Sequence, residues 1–360
     1  MTKGGKKKVI VQKYKCHNMH VFKVGTPPSF DNSFIEHVVY VYLRCLSLNT
    51  TIDIVREQYE EDVLSKQLIL DFIERVADVL PTLDEVDALY EPKRSGYFAL
   101  DGVWFSYNET EIVLLVCFDP ETFDIVGALW QEEESYEGYK TLLLSVLQKI
   151  PKEQVKGVYG DGDKGLLKAL NELLPTVPFQ LCVVHKELKM GKTVPVKSVS
   201  ISRRIDEEKK AAIKEFQILF RNCLYADTKE TALSSLKILK DYAYKSDYEM
   251  FLRAYRSLAS NFTATLTHFD HPGMGRDNNI LECFNGIIKP RLDLMKGFKK
   301  QENLDRYLKL FLLEFRFRPL RESSFKERRG QTPLQLGDVY LPKYYNFIRF
   351  LREHFNLNFS

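Results

Sequence analysis

VKGVYGDGDKGLLKALNELLP, residues 155–175, carries a strand, a turn and a helix in one short run. The apolar segment ends on Asp161, Asp163 follows two residues later, and beyond Gly165 the LLKAL spacing is helical. Asp163 is well placed to cap that helix or to serve as its first-turn acid, where the helix dipole favours negative charge. Asp161 is less easily explained that way, because it closes the strand. In open α/β sheets the carboxyl edge of the strands is where ligands bind, so Asp161 is a candidate functional residue. A calcium loop is the rival, since Asp161, Asp163 and Glu172 fit part of its pattern. It fails at the sixth position, where Leu166 stands instead of glycine and the chain is already helical.

Working outward, YFALDGVWFSY (97–107), EIVLLVCFD (111–119) and DIVGALWQ (124–131) read as strands, the last two joined by the turn Pro120-Glu121-Thr122. SYEGYKTLLLSVLQKI (135–150) reads as a helix capped by Ser135, QVKGVYG (154–160) as a fourth strand and FQLCVVH (179–185) as a fifth. The order βββαβαβ predicts an α/β fold: a mixed sheet with helices on its faces. Residues 206–261 hold three helical patterns and no strand signal; a loop follows, then ILECFNGIIK (280–289) and ENLDRYLKLFLLEFRF (302–317), both helical.

Upstream, FIEHVVYVYLRCL (34–46), TIDIVREQYE (51–60) and KQLILDFIERVADVL (66–80) read as three short helices, the third capped by Ser65 and stopped by Pro81. They resemble a helix-turn-helix unit; a small helical bundle that only packs or dimerises is the alternative. The third helix offers Lys66, Gln67 and Arg75 amid Asp71, Glu74 and Asp78, a poor surface for reading DNA. The expected organisation is a basic segment (1–30), a helical domain (31–81) and an acidic linker (82–96). A sheet core in two parts (97–190 and 276–340) around a helical insertion (191–275), then a helical tail (341–360), complete it.

The chain has 360 residues, enough for two or three domains. No apolar run approaches the roughly 18–20 residues of a membrane span, and the lysine-rich start lacks the apolar stretch of a signal peptide. The six cysteines, at 16, 45, 117, 182, 223 and 283, form no CxxC pair, which points to a reducing cytosol rather than a disulfide framework. Net charge is only +3 but uneven: residues 1–30 carry seven lysines and no acid, and residues 286–329 carry thirteen bases against six acids. Two basic ends could hold phosphates at separate points along a nucleic acid; solvated helix faces are the plainer explanation.

Asp101 sits inside the first strand, where a buried carboxylate needs a partner, a metal or water. By alternation it shares a face with Ala99 and Val103. Cys182 and His185 form a CxxH, half of a zinc set, or else a buried thiol and a hydrogen-bonded imidazole. Glu282 falls in the first turns of a helix capped by Asp277 or Asn278. Asn285 and Lys289 follow on its face, with Arg291, Lys296, Lys299 and Lys300 extending the basic run, so this helix could present a metal ligand while gripping a phosphate backbone.

FALDGVW, VYGDGDKGLLKAL, LCVVH and NNILECFNGIIKPRLDLMKGF, in this order over residues 97–335, resemble the DDE transposases of prokaryotic insertion sequences, in the group allied to Mutator-like elements. GQTPLQLG (330–337) resembles that group's closing segment. The resemblance implies an RNase H-like core and makes Asp101, Asp161 and Glu282 the catalytic acids holding two Mg²⁺ or Mn²⁺ ions. It leaves Asp163 as a cap and makes Cys182 and His185 structural, beside the metal site rather than in it. It further implies double-stranded DNA as partner, a homodimer or larger assembly on DNA, and a cytoplasmic, nucleoid-associated protein. Related transposases often begin with a zinc ribbon; here YKCHNMHVF (14–22) offers only Cys16 with His17 or His20, and no CxxC precedes it, which argues against zinc.

Overall fold

The computed structural model describes residues 12–15, 21–24, 30–45, 47–59, 64–195, 206–293, 301–323 and 325–359. Cys16, His17, His20, Lys296, Lys299 and Lys300 lie outside the described residues. The chain divides into two compact units, one of residues 1–80 with 344–360 and one of residues 81–343.

In the first unit, β1 (Gln12–Lys15) pairs antiparallel with β2 (Val21–Val24). Helices α1 (Asn32–Cys45), α2 (Leu48–Tyr59) and α3 (Lys66–Val79) follow. Ser65 caps α3 as its sequence predicts, accepting from Leu68 N. Of the residues read from sequence as a separate tail, 341–360, those from 344 onward belong to this unit. Their helix, Phe347–His354, brings Arg349 and Arg352 to the buried Glu36 of α1 at 2.6 and 2.8 Å. The pattern of the tail shows an amphipathic helix, but nothing local says that a carboxylate 313 residues upstream in the chain is its partner.

The second unit opens with a helix where the sequence suggests a linker. In α4 (Leu83–Tyr90), Thr82 and Glu85 exchange hydrogen bonds in a capping box. That reciprocal pairing satisfies two otherwise orphaned N–H groups and explains why a short acidic stretch is helical. Next come β3 (Tyr97–Tyr107), β4 (Thr110–Asp119), β5 (Asp124–Gln131), α5 (Tyr136–Lys149), β6 (Gly157–Gly160), α6 (Lys164–Leu173) and β7 (Phe179–Leu181). The five strands form one sheet in the order β5-β4-β3-β6-β7. The pairs β3–β4 and β4–β5 are antiparallel, and β3–β6 and β6–β7 are parallel. This α/β mixed sheet is compatible with an RNase H-like core.

Two predicted strands are shorter than their sequences suggest; the fourth, read from Gln154, starts only at Gly157. FQLCVVH reads as a strand through His185, but β7 stops at Leu181, Cys182 takes the N-cap position, and α7 (Val183–Thr193) begins. Val183-Val184 carries a strong β preference; burying Val183 and Met190 on one face of a helix overrides it.

A core built on Leu100, Leu115, Leu142, Leu143, Leu166 and Leu170 fills the space between the sheet and α5 with α6. Helices α8 (Glu207–Leu224), α9 (Lys229–Lys245) and α10 (Glu249–Ala259) form the insertion with their own core, in which Phe216 and Phe251 stack at 4.4 Å. Helices α11 (Asn279–Asp293) and α12 (Gln301–Phe317) follow. Phe284 of α11 meets Phe118 of β4 at 5.4 Å and Phe315 of α12 at 4.9 Å, which fixes α11 against the sheet. Fully buried Arg316 binds Asp124 at 2.9 Å and Asp87 at 2.6 Å, so a charge network ties α12 to β5 and α4. Among the described residues no helix is long and apolar enough to cross a membrane.

Candidate metal centre at the sheet edge

Strand register puts the two aspartates side by side. β3 and β6 run parallel, with Leu100 opposite Gly160, and the next residue of each strand is an aspartate, Asp101 and Asp161. Parallel neighbours lie about 4.8 Å apart, so both carboxylates start from one edge. Asp101 is largely buried. Its Oδ1 accepts from Gly102 N at 2.9 Å and its Oδ2 from Asn278 Nδ2 at 3.4 Å. Burial, with Glu282 next and Asp161 and Glu134 adding, pushes its carboxyl up to about 8, against the pull of the Gly102 N–H. A carboxyl so raised is a group short of positive charge.

Asp161 directly follows the last residue of β6, and its Oδ1 accepts from Asp163 N at 2.8 Å. Asp163 caps α6, accepting from Gly165 N and Leu166 N, which is the capping role its position predicts. Between them Gly162 holds φ +81°, and a Cβ there would meet Leu181 at 2.6 Å. Only glycine makes this turn without strain, and the turn is what aims Asp161 along the strand edge.

Glu282 lies in the first turn of α11, where its N–H donates to Asn278 O at 3.1 Å. Its side chain is 45% exposed, and Oε1 lies 3.6 Å from His185 Nε2. Ligand atoms of Asp101, His185 and Glu282 all fall within 4.8 Å of one another, a spacing that could hold a metal ion. Asp161 is not one of those three; it acts on them through its charge, raising both Asp101 and His185. His185 stands above the usual imidazole range, through contact with Cys182 and then, against its burial, through Asp161 and Glu282.

Cys182 has a clear structural task. Its own N–H donates to Gly160 O at 2.8 Å, and its Sγ accepts from Asn278 N at 3.3 Å. Through its N–H and its thiol, Cys182 therefore ties the end of β6 to the start of the Glu282 helix, and Asn278 passes that link to Asp101.

Further along α11, Lys289 is exposed, while the Oδ1 of Asn285 is buried and meets no partner among the described residues. Arg291 is turned inward: its side chain is 11% exposed, pairs with Glu314 at 3.4 Å and lies over Phe311. The spacing of α11 places Arg291 on the basic run, but spacing alone does not reveal an acid on α12.

Glu134 is a fourth acid that sequence reasoning passes over. It stands just before α5, accepts from Trp104 Nε1 at 3.2 Å, and occupies the space that a Cβ on Gly102 would need. Burial and the charges of Asp161 and Asp163 raise its carboxyl. The run of three glutamates at 132–134 looks like solvated charge, and only the position of Trp104 singles out the third.

Residues 30–317 match the family model described as transposase, Mutator family. The chain belongs to the Mutator family of transposases. The transposase for insertion sequence element IS1201 of Lactobacillus helveticus is 23% identical over 231 residues, 62% of this chain and 54% of that protein. The chain thus spans about half the length of this relative.

Proposed function

We propose that this Mutator-family transposase cuts DNA strands at the ends of a mobile element and joins them to target DNA, in an RNase H-like core with a DDE set of acids, Asp101, Asp161 and Glu282. The observation that supports it best is the meeting of Asp101 and Glu282, 181 positions apart in the chain, beside an aspartate on the neighbouring parallel strand. The donors fit hard divalent ions, which take carboxylate oxygens and keep several waters. Two such ions, Mg²⁺ or Mn²⁺, when bound would activate the attacking oxygen and stabilise the leaving one in an in-line displacement.

The chain's own residues do the rest. Asn278 orients the Asp101 carboxylate, and Cys182 holds the start of the Glu282 helix to the sheet. Gly162 sets the turn that aims Asp161. Lys289, exposed one turn beyond Asn285, offers a cation to a phosphate of double-stranded DNA. Two element ends call for a homodimer or larger assembly on DNA.

The test is a strand-transfer assay with Mg²⁺ or Mn²⁺ on DNA bearing the element's ends. Asp161→Asn is expected to lose both cleavage and joining while still binding DNA. Wild-type cleavage without joining would make the protein an RNase H-like nuclease. Tight binding with neither reaction would make it a catalytically silent, transposase-derived regulator.

A further inference from the structure

We infer that His185 is a direct metal ligand. With Asp101 and Glu282 it forms a mixed nitrogen–oxygen site that takes Mn²⁺ in preference to Mg²⁺. This rests on the proposed metal-dependent chemistry and adds to it a ligand outside the three acids.

The spacing carries the argument. His185 Nε2 and Glu282 Oε1 are 3.6 Å apart, beyond hydrogen-bond reach. An imidazolium acting only as a counter-charge would close on the carboxylate to about 2.7–2.9 Å. Two atoms that each lie about 2.0–2.2 Å from a shared ion stand about 3–4 Å apart, which is the observed separation. Asp101 belongs to the same set, with all three ligand atoms within 4.8 Å.

The turn that carries His185 is anchored at its start. His185 sits in the first turn of α7, three residues after Cys182, whose N–H is bonded to Gly160 O and whose Sγ accepts from Asn278 N. Val183 N donates to Arg276 O at 3.3 Å, which anchors the same turn to the segment leading into α11. The three ligand-bearing elements are therefore pinned to one another by backbone bonds before any ion arrives. Only 20% of the His185 side chain is exposed, and its Nε2 lies 3.6 Å from Glu282 Oε1. A solvent-facing imidazole would have no such constraint.

The chemistry of the donor sets the preference. Magnesium demands oxygen ligands and sheds its waters reluctantly, whereas manganese accepts imidazole nitrogen alongside carboxylate oxygen. A site of two carboxylates and one imidazole therefore discriminates between the two ions where an all-carboxylate site does so weakly. The ion concerned is the one that Asp101 and Glu282 share; a second, held with Asp161, would keep an all-oxygen environment.

The experiment is pulsed electron paramagnetic resonance of Mn²⁺ titrated into the full chain, without DNA and independent of turnover. The expected result is modulation from one directly bound ¹⁴N nucleus, replaced by the ¹⁵N pattern when the histidines are labelled. His185→Gln should abolish the modulation and weaken Mn²⁺ binding by about tenfold or more, as loss of a ligand does. His185→Asp, which restores an oxygen donor, should keep ion binding while losing the preference for Mn²⁺ over Mg²⁺ in competition. Mn²⁺ binding that depends on Asp101 and Glu282 but shows no nitrogen would overturn the inference and leave the metal site standing. Mn²⁺ that fails to bind the wild type, or binds Asp101→Asn and Glu282→Gln equally well, would overturn both.

Discussion

Replacing Asp101 by asparagine is expected to stabilise the ion-free protein while destroying its activity. Burial and the neighbouring acids move the Asp101 carboxyl from its ordinary 3.8 to about 8. Between those values the folded chain binds the proton and the unfolded chain does not, so stability falls as pH rises through the window. At about 1.4 kcal/mol per pH unit, the full difference is about 6 kcal/mol, reached near pH 8. Asparagine keeps the shape, can still accept the Gly102 N–H, and carries no charge. If only a third of that sum is recovered, about 2 kcal/mol, a unit of this size gains about 4–8 °C in Tm. The assay is thermal denaturation of wild type and variant in EDTA from pH 5 to pH 8.5. The gap should widen steadily with pH in favour of the variant. Adding Mn²⁺ or Mg²⁺ should raise the Tm of the wild type and leave the variant unmoved. A gap that stays constant across the pH range, or a variant less stable than wild type at pH 8, would refute the reasoning.

Other perturbations test the supports of the site. Arg316→Met removes one of the two guanidiniums that Asp124 and Asp87 share, leaving Arg94, and should cost about 3–5 kcal/mol in urea denaturation at neutral pH. Burial pushes Asp124 up, but Arg316 and Arg94 outweigh it and hold the carboxyl below its ordinary range. The wild type should therefore keep this contribution above the ordinary aspartate pKa and lose it as pH falls through the depressed value, and the variant should show a flatter acid limb. Cys182→Ala removes the acceptor for Asn278 N and should cost about 1–3 kcal/mol together with strand-cleavage rate; Cys182→Asp, which restores an acceptor, should recover part of that rate. Gly162→Ala combines φ +81° with a clash at Leu181, so it should lose more than about 1 kcal/mol and lower turnover more than DNA affinity.

The order of strands and helices in the sheet unit was legible because each element carries its own period. Apolar runs bounded by turn residues mark β3 to β5, and caps at Ser135 and Asp163 mark the helices that follow. Asp163 as a cap could be read locally, since capping involves only the next three residues. The convergence of Asp101 with Glu282 could not; it depends on α11 being seated by Phe284 against Phe118 and Phe315, contacts that cross long stretches of chain. The same limit hid the ion pair of Arg291 with Glu314 and the grip of Trp104 on Glu134. His185 was misplaced onto a strand because two valines precede it, and its position in the first turn of α7 is what brings Nε2 to Glu282. A polar linker was expected where α4 forms, because an acidic composition says little about whether a capping box can close.

The most direct measurement is anomalous X-ray scattering from crystals of the protein grown or soaked with Mn²⁺. Manganese peaks bound by the carboxylates of Asp101, Asp161 and Glu282 are the expected result, and they should vanish in Asp101→Asn. Saturating Mn²⁺ with no peak at these three residues, or peaks that persist in the variant, would contradict the shared metal centre.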